Sequence, residues 1–334
     1  MKIRIGVLGT AAIARRKMIP AILGSTNFEY AGVAIASFAE REENISEAEK
    51  IELWDEKCKK AYSFQEEFGG KFYDSFDSLL NCTDIDAVYI PLPPALHFKW
   101  ASRALCHGKH VLMEKPFTCS ELDTKALLKL AKEKNLAVWE NYAFVYHEQV
   151  KCIRKAMDEI GEIRLLRATF GFPHRAMNDF RYCNSAGGGA LLDCGGYTVK
   201  AAALFMGNNI ELESSHLITT DGHEVDIYGN ATMTDENGVT AQLAFGMDNA
   251  YVCELQIWGS KGMITAPRFF TAPADMDVSV MVKIGNEEKI YYAKADQFMN
   301  SLNEFACEIA KAADMRCCYN QVNQQAELIE KFVR

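Results

Sequence analysis

Between residues 2 and 142, short apolar runs of strand length alternate with stretches of helical spacing, and that alternation restricts the chain to few folds. Strands joined by crossover helices lie parallel in one sheet with helices on both faces. The strands read as 3–8, closed by Gly9, then 30–37, a short one near Phe72, 86–90, 111–113 and 137–140. Helices are expected over 12–23, 54–68 and 95–106, and from the capping-box pattern Thr118-Cys119-Ser120-Glu121 onward to Asn135. The charged stretch 40–56 reads as a solvated insertion.

After a helix at 150–160 the period changes. Segments of β-type composition at 163–171, 210–220, 225–234, 239–247 and 251–258 follow one another, punctuated by turns such as Glu236-Asn237-Gly238 and Gly259-Ser260-Lys261-Gly262. Strands joined by short turns imply an antiparallel sheet, hence a separate α+β domain. Helices near 297–313 and 321–334 end the chain. The expected organisation is a doubly wound α/β domain over 1–120 and an α+β domain over 121–334.

Composition excludes several classes. Hydrophobic residues at 49% and charged residues at 24% are ordinary globular values. No apolar run approaches the roughly 18 residues that span a bilayer, and Met1-Lys2-Ile3-Arg4 enters a strand without a signal-peptide pattern. A cytoplasmic protein with no membrane partner is expected. Eleven cysteines, an odd number with no Cys-x-x-Cys pair, read as reduced thiols, and with seven unclustered histidines they lead to no expected metal site. A net charge of −9 argues against nucleic acid as a partner. Backbone amides can still hold a phosphate against that charge.

Four stretches carry candidate chemistry. Gly9-Thr10-Ala11-Ala12-Ile13-Ala14 is a variant of the dinucleotide fingerprint with alanine at its second and third glycine positions. Gly9 permits the tight turn, and the amides of Thr10, Ala11, Ala12 and Ile13 at the helix start would face a pyrophosphate; a strand-turn-helix unit that binds nothing is the alternative. The second strand ends Ala36-Ser37-Phe38, with no carboxylate to repel a 2′-phosphate and with Ser37 able to hydrogen-bond one. This favours NADP(H), with NAD(H) as the alternative, and Arg41 can complete the site.

Pro91-Leu92-Pro93-Pro94 stops a central strand, and such a rigid turn can pack on a nicotinamide ring with Leu92 and His97 beside it. The alternative for His97 is a helix-start histidine with no role. In Val111-Leu112-Met113-Glu114-Lys115-Pro116, Lys115 leaves the carboxyl end of a buried strand, the edge at which open α/β sheets bind ligands. Lysine suits proton donation there because burial shifts its pKa readily. A solvated lysine paired with Glu114 is the competing reading. Finally, Gly187-Gly188-Gly189 precedes a helical run that puts Asp193 and Tyr197 four residues apart on one face. A carboxylate beside a phenol binds a sugar hydroxyl and delivers a proton; helix capping and core packing are the structural alternative.

With these motifs in order, the chain resembles the Gfo/Idh/MocA family of NAD(P)-dependent oxidoreductases over nearly its full length. The resemblance implies an N-terminal Rossmann domain followed by an α+β domain with a large open, mostly antiparallel sheet. It implies that Lys115 contacts nicotinamide and substrate, with Glu114 beside it at the cofactor, and that Asp193 orients the substrate. Many members carry a histidine where this chain has Tyr197, which leaves Lys115 and Tyr197 as two candidate proton donors. Asn178-Asp179-Phe180-Arg181-Tyr182, Trp258-Gly259-Ser260-Lys261-Gly262 and Arg268-Phe269-Phe270-Thr271-Ala272-Pro273 are similar to the nucleotide-sugar 3-ketoreductases of deoxysugar biosynthesis. By that likeness Arg181 touches the cofactor, while Tyr251 and Thr271 face the sugar nucleotide. The implied activity is NADPH-dependent reduction of a keto group on a nucleotide-linked sugar. A dehydrogenase of free sugars, polyols or dihydrodiols is the alternative, and a non-catalytic NADP-binding sensor is the alternative of another class. An exposed broad sheet would aggregate unless covered, so a homodimer or homotetramer packed through it is expected.

Overall fold

Six parallel strands form the first sheet, and their sequences explain why it is covered on both faces. The computed structural model describes residues 2–40, 47–207, 209–312 and 316–333. Strands β1 (Ile3–Leu8), β2 (Phe28–Ala34), β3 (Lys71–Tyr73), β4 (Ala87–Ile90), β5 (His110–Met113) and β6 (Val138–Glu140) lie in the order β3-β2-β1-β4-β5-β6. Every residue of β4 and all but the first of β5 are buried, the unbroken apolar run of a strand covered on both sides.

Between the strands run α1 (Ile19–Gly24), α2 (Glu47–Phe68), α3 (Phe76–Leu80), α4 (His97–Cys106) and α5 (Glu121–Glu133). A π-helical turn over Ala14–Met18 leads into α1, where Pro20 lacks the N–H that would continue the regular ladder. In α4 the buried stripe is His97, Trp100, Ala101, Ala104 and Leu105, a 3.6-residue period facing the sheet. Helix α2 begins earlier than expected: much of the stretch read as a solvated insertion is helix, its charges carried on exposed positions. Arg41 lies outside the described residues.

The second sheet is eight-stranded and mostly antiparallel. It follows α6 (Glu148–Met157) and comprises β7 (Ile163–Gly171), β8 (Ile210–Ile218), β9 (Tyr228–Asp235), β10 (Thr240–Gly246), β11 (Val252–Gly259), β12 (Gly262–Ala266), β13 (Val278–Ile284) and β14 (Glu287–Ala293), in the order β14-β13-β12-β11-β7-β10-β9-β8. Only β7 and β10 pair in parallel. Along β11, Cys253, Leu255 and Ile257 enter the core while Val252 and Trp258 stay exposed, the period-2 alternation of a sheet with one packed face. Strands β12 to β14 were not anticipated from the sequence, although Val278, Val280 and Val282 alternate inward. Helix α7 (Gly196–Met206) continues a π-helical turn over Leu191–Gly195; α8 (Gln297–Ala310) and α9 (Cys318–Glu330) end the chain.

Two compact units result: 1–117 with 122–141 and 302–320, and 118–121 with 142–301 and 321–334. The expected cut at 120/121 is displaced because β6 pairs with β5, which keeps residues 122–141 with the first sheet. No helix among the described residues is long and apolar enough to cross a membrane.

Candidate active site

In the first unit the glycine turn lies against the turn after β4. Gly9 follows β1 with φ +100°, a conformation L side chains rarely adopt, and its N–H donates to Ala34 O at 2.8 Å at the end of β2. A Cβ at Gly9 would stand 3.0 Å from Leu92 Cδ2, so the glycine turn and the turn after β4 touch. Thr10 is buried, Ala12 is exposed and Ala11 and Ile13 are intermediate, leaving a small-residue surface at the helix start. These residues fit a dinucleotide pyrophosphate, the group for which such a turn leaves room.

His97 has a different place from the one expected. It is fully buried, with Nε2 2.8 Å from Leu92 O and Nδ1 2.8 Å from Pro116 O. A neutral ring has one N–H, so it donates to one of these two carbonyls, and the histidine packs between the turn after β4 and the end of β5. Burial pushes its pKa down, the two carbonyls work in the opposite direction, and the Lys115 charge adds to the lowering.

Glu114 turns its carboxylate toward neighbouring strand ends. Its Oε1 accepts from Tyr89 Oη at 2.7 Å and Asn141 Nδ2 at 2.8 Å. Burial raises its pKa, while these two bonds and the Lys115 charge pull it back. Tyr89 and Asn141 were not singled out from the sequence, since only the parallel order β4-β5-β6 brings them together. Lys115 follows at the carboxyl end of β5, partly exposed, and its bond to Pro116 is cis.

At the tip of β2 the structure adds a contact that the local sequence does not show. A tight turn over Phe38–Glu40 folds Glu40 back, so that its Oε2 accepts from Ser37 N at 2.6 Å and Ser37 Oγ at 2.9 Å. The same carboxylate accepts from Phe76 N at 3.1 Å and Asp77 N at 2.8 Å. A carboxylate therefore does stand at this tip, brought from three residues further on.

The second unit carries a polar cluster of its own. Asp179 Oδ1 caps the turn Phe180–Tyr182 by accepting from Arg181 N at 3.1 Å. Arg181 donates from Nε to Asp193 Oδ2 at 2.8 Å and from Nη1 to Asp179 Oδ1 at 3.0 Å. Burial opposes the guanidinium charge, but the two aspartates outweigh it and raise the pKa of Arg181. The glycine triplet makes this path available: a Cβ at Gly188 would lie 2.3 Å from Arg181 O, and Gly187 and Gly189 take φ +77° and +115°. Asp226 Oδ2 then caps the next turn by accepting from Leu191 N at 2.7 Å.

Tyr197 stands in a cage of rings from separate elements. Tyr142 is 5.1 Å away edge-on, Phe170 5.0 Å, Phe144 5.7 Å and Phe270 5.8 Å between centroids. Tyr251 and Thr271, expected independently at the substrate, prove to be partners: Tyr251 Oη and Thr271 Oγ1 lie 2.6 Å apart, and Arg268 sits over the Tyr251 ring at 5.0 Å. Burial raises the Tyr251 pKa. Among the described residues no group of three or more His, Cys, Asp and Glu side chains could hold a metal.

Comparison with known proteins agrees with this architecture. Residues 3–142 match an oxidoreductase family with an NAD-binding Rossmann fold, and residues 151–265 match the GFO/IDH/MocA C-terminal domain. The chain is 37% identical over 331 residues to dTDP-3,4-didehydro-2,6-dideoxy-alpha-D-glucose 3-reductase of Actinomadura kijaniata, covering 98% of this chain and 94% of that protein. It is 28% identical over 310 residues to D-xylose 1-dehydrogenase (NADP(+)) 2 of Haloferax volcanii, covering 90% of this chain and 87% of that one. A crystal structure of a 3-ketoreductase from Actinomadura kijaniata in complex with NADP and TDP-benzene superposes with a TM-score of 0.89 at 36% identity, covering 99% and 96% of the two chains.

Proposed function

The chain belongs to the Gfo/Idh/MocA family of oxidoreductases, and from that premise we propose that it is an NADPH-dependent reductase of a keto group on a nucleotide-linked deoxysugar. The observation that carries the substrate class is the end-to-end likeness, at 37% identity, to a 3-reductase of a dTDP-linked 2,6-dideoxy sugar. NADP in a structure that superposes over 99% of this chain supports the cofactor. The reduced nicotinamide supplies the hydride.

The protein's own residues do the rest. Thr10 to Ile13 present amides to the pyrophosphate, and Leu92, held by His97, lines the cofactor. Lys115 Nζ and Tyr197 Oη are the two donors that can protonate the oxygen left on the substrate after hydride arrives. The Lys115 cation also stabilises that oxygen as its negative charge develops, the kind of preorganised electrostatics that usually dominates catalysis. Asp193, held by Arg181, accepts from a sugar hydroxyl; Tyr251 and Thr271 face the sugar nucleotide as one hydrogen-bonded pair.

Two further readings accompany this one. The outward face of the second sheet carries Trp258 at 55% and Tyr292 at 67% exposure, which supports a homodimer or homotetramer packed through it. All eleven cysteines are free thiols, which supports a cytoplasmic location.

The test is loss of NADPH absorbance with matched keto-sugars offered free and dTDP-linked. Turnover of the linked sugars alone is the expected result. Turnover of free sugars instead would favour the dehydrogenase reading that the D-xylose 1-dehydrogenase relative supports, and NADPH binding without turnover of either would favour a sensor.

A further inference from the structure

Arg268, just beyond the end of β12, carries a charge that its neighbours do not neutralise. The side chain is half-buried and its guanidinium carbon lies 5.0 Å from the centroid of the Tyr251 ring. Its Nε is enclosed without an acceptor, and among the described residues no carboxylate forms an ion pair with it. Arg181, in the same unit, is held by two aspartates. Two hydroxyls stand beside the Arg268 charge: Tyr251 Oη and Thr271 Oγ1 lie 2.6 Å apart, and Tyr251 is 44% exposed, so the pair is open to solvent. Their mutual bond uses one of their two protons, and the other can be donated to an oxyanion. The backbone between Arg268 and Thr271 is fixed from behind. Phe269 N donates to Cys253 O at 2.9 Å and Phe270 N to Cys253 Sγ at 3.2 Å. The buried amides of Gln149 and Gln297 donate to Phe269 O at 2.9 Å and to Phe270 O at 3.5 Å.

We infer that Arg268, together with the Tyr251–Thr271 pair, binds the diphosphate of the substrate, an assignment that rests on the nucleotide-linked reading above. The diphosphate is the charged part of such a molecule, and a guanidinium offers paired N–H groups that match phosphate oxygens. A chain of net charge −9 repels an anionic ligand at long range, so a local cation is needed to hold one. Stacking on Tyr251 and the pinned backbone restrict Arg268 before the ligand arrives, which lowers the entropy lost on binding. The site discriminates by charge: a nucleotide-linked sugar pairs with Arg268, and a free sugar leaves the guanidinium without its counter-ion.

The experiment titrates the purified full chain with dTDP and with thymidine by calorimetry, in saturating NADP+ so that the dinucleotide site is filled. The wild-type protein should prefer dTDP by about tenfold or more. Arg268→Met keeps an apolar stem against the Tyr251 ring and removes the charge; it should weaken dTDP about 10- to 100-fold and change thymidine less than about threefold. No preference for dTDP in the wild type, an equal loss of both ligands in the variant, or a dTDP affinity within about threefold of the wild type overturns the assignment. If Arg268→Met does not fold, Arg268→Lys decides, because it keeps the charge and loses the planar fork: weakening of dTDP by about threefold or more with thymidine unchanged supports the site, and a smaller effect overturns it. Absence of binding by both dTDP and thymidine would defeat the nucleotide-linked reading and this assignment with it. Arg268-dependent binding of dTDP without turnover of any linked keto-sugar would leave this assignment standing and defeat only the reductase reading.

Discussion

Arg181 donates to Asp193 through Nε at 2.8 Å while Nη1 holds Asp179, so one guanidinium spans two carboxylates. Arg181 was expected at the cofactor, and its hydrogen bonds instead join it to Asp193 and Asp179. A hydrogen bond to a charged group contributes roughly 1.5–3 kcal/mol, or about a 10- to 100-fold effect. Arg181→Lys keeps the charge but loses the fork that spans both aspartates. It should lower kcat/KM by about that factor with NADPH affinity changed less than threefold. A collapse of NADPH binding with the remaining turnover intact would assign Arg181 to the cofactor instead.

His110 makes the stability of the first unit depend on acid. Its Nδ1 accepts from Ala137 N at 2.9 Å between β5 and β6, and burial, with help from the Arg316 charge, pushes its pKa down to about 4. An unfolded histidine titrates near 6.5, so between those values the unfolded chain binds more protons and stability rises with pH. The contribution is fully present above pH ~6.5 and lost as pH falls toward ~4, amounting to at most about 3 kcal/mol. His110→Asn keeps an acceptor near the place of Nδ1 without the titration. Urea unfolding across that window should therefore show a flatter pH dependence for the variant; parallel curves would remove His110 as the cause.

Tyr251 and Thr271 behave as one unit if their 2.6 Å hydrogen bond is what aims them. Tyr251→Phe and Thr271→Val should each raise KM for the nucleotide sugar about tenfold, and the double variant should lose scarcely more than either single one, since neighbours in one network are not additive. Additive losses, about a hundredfold together, would show two independent contacts.

Much of the first unit was legible because its signals are local. The buried runs of β4 and β5, Gly9 at the first turn, and Pro91 ending β4 each follow from a few adjacent residues. His97 was also readable in principle: it opens the stripe His97, Trp100, Ala101, Ala104, Leu105, which marks it as a buried position before any ligand is invoked. Glu40 was hidden among charges that look solvated, and only the backward turn onto Ser37 reveals it. The Arg181–Asp193 bond depends on a backbone path that the glycine triplet permits but does not specify. The rings around Tyr197 come from three separate segments, and no local period encodes such a cage.

Substitutions can separate Lys115 from Tyr197 as the candidate proton donor. General acid catalysis contributes roughly 10² to 10⁴ in rate. Lys115→Met removes both the proton and the cation, and should lower turnover by about that factor while NADPH still binds. Lys115→Arg keeps the cation but holds its proton at any pH the protein tolerates, because guanidinium does not give one up. If Lys115 Nζ is the donor, the arginine variant should be nearly as slow as the methionine variant, and Tyr197→Phe should be milder than both. If Tyr197 Oη is the donor, Tyr197→Phe should be the slowest of the three and the arginine variant should recover most of the activity, since charge stabilisation would then be all that Lys115 supplies. Single-turnover rates with bound NADPH measure the reductive half of the reaction free of product release, and near-normal turnover of Lys115→Met would remove the lysine from the mechanism altogether.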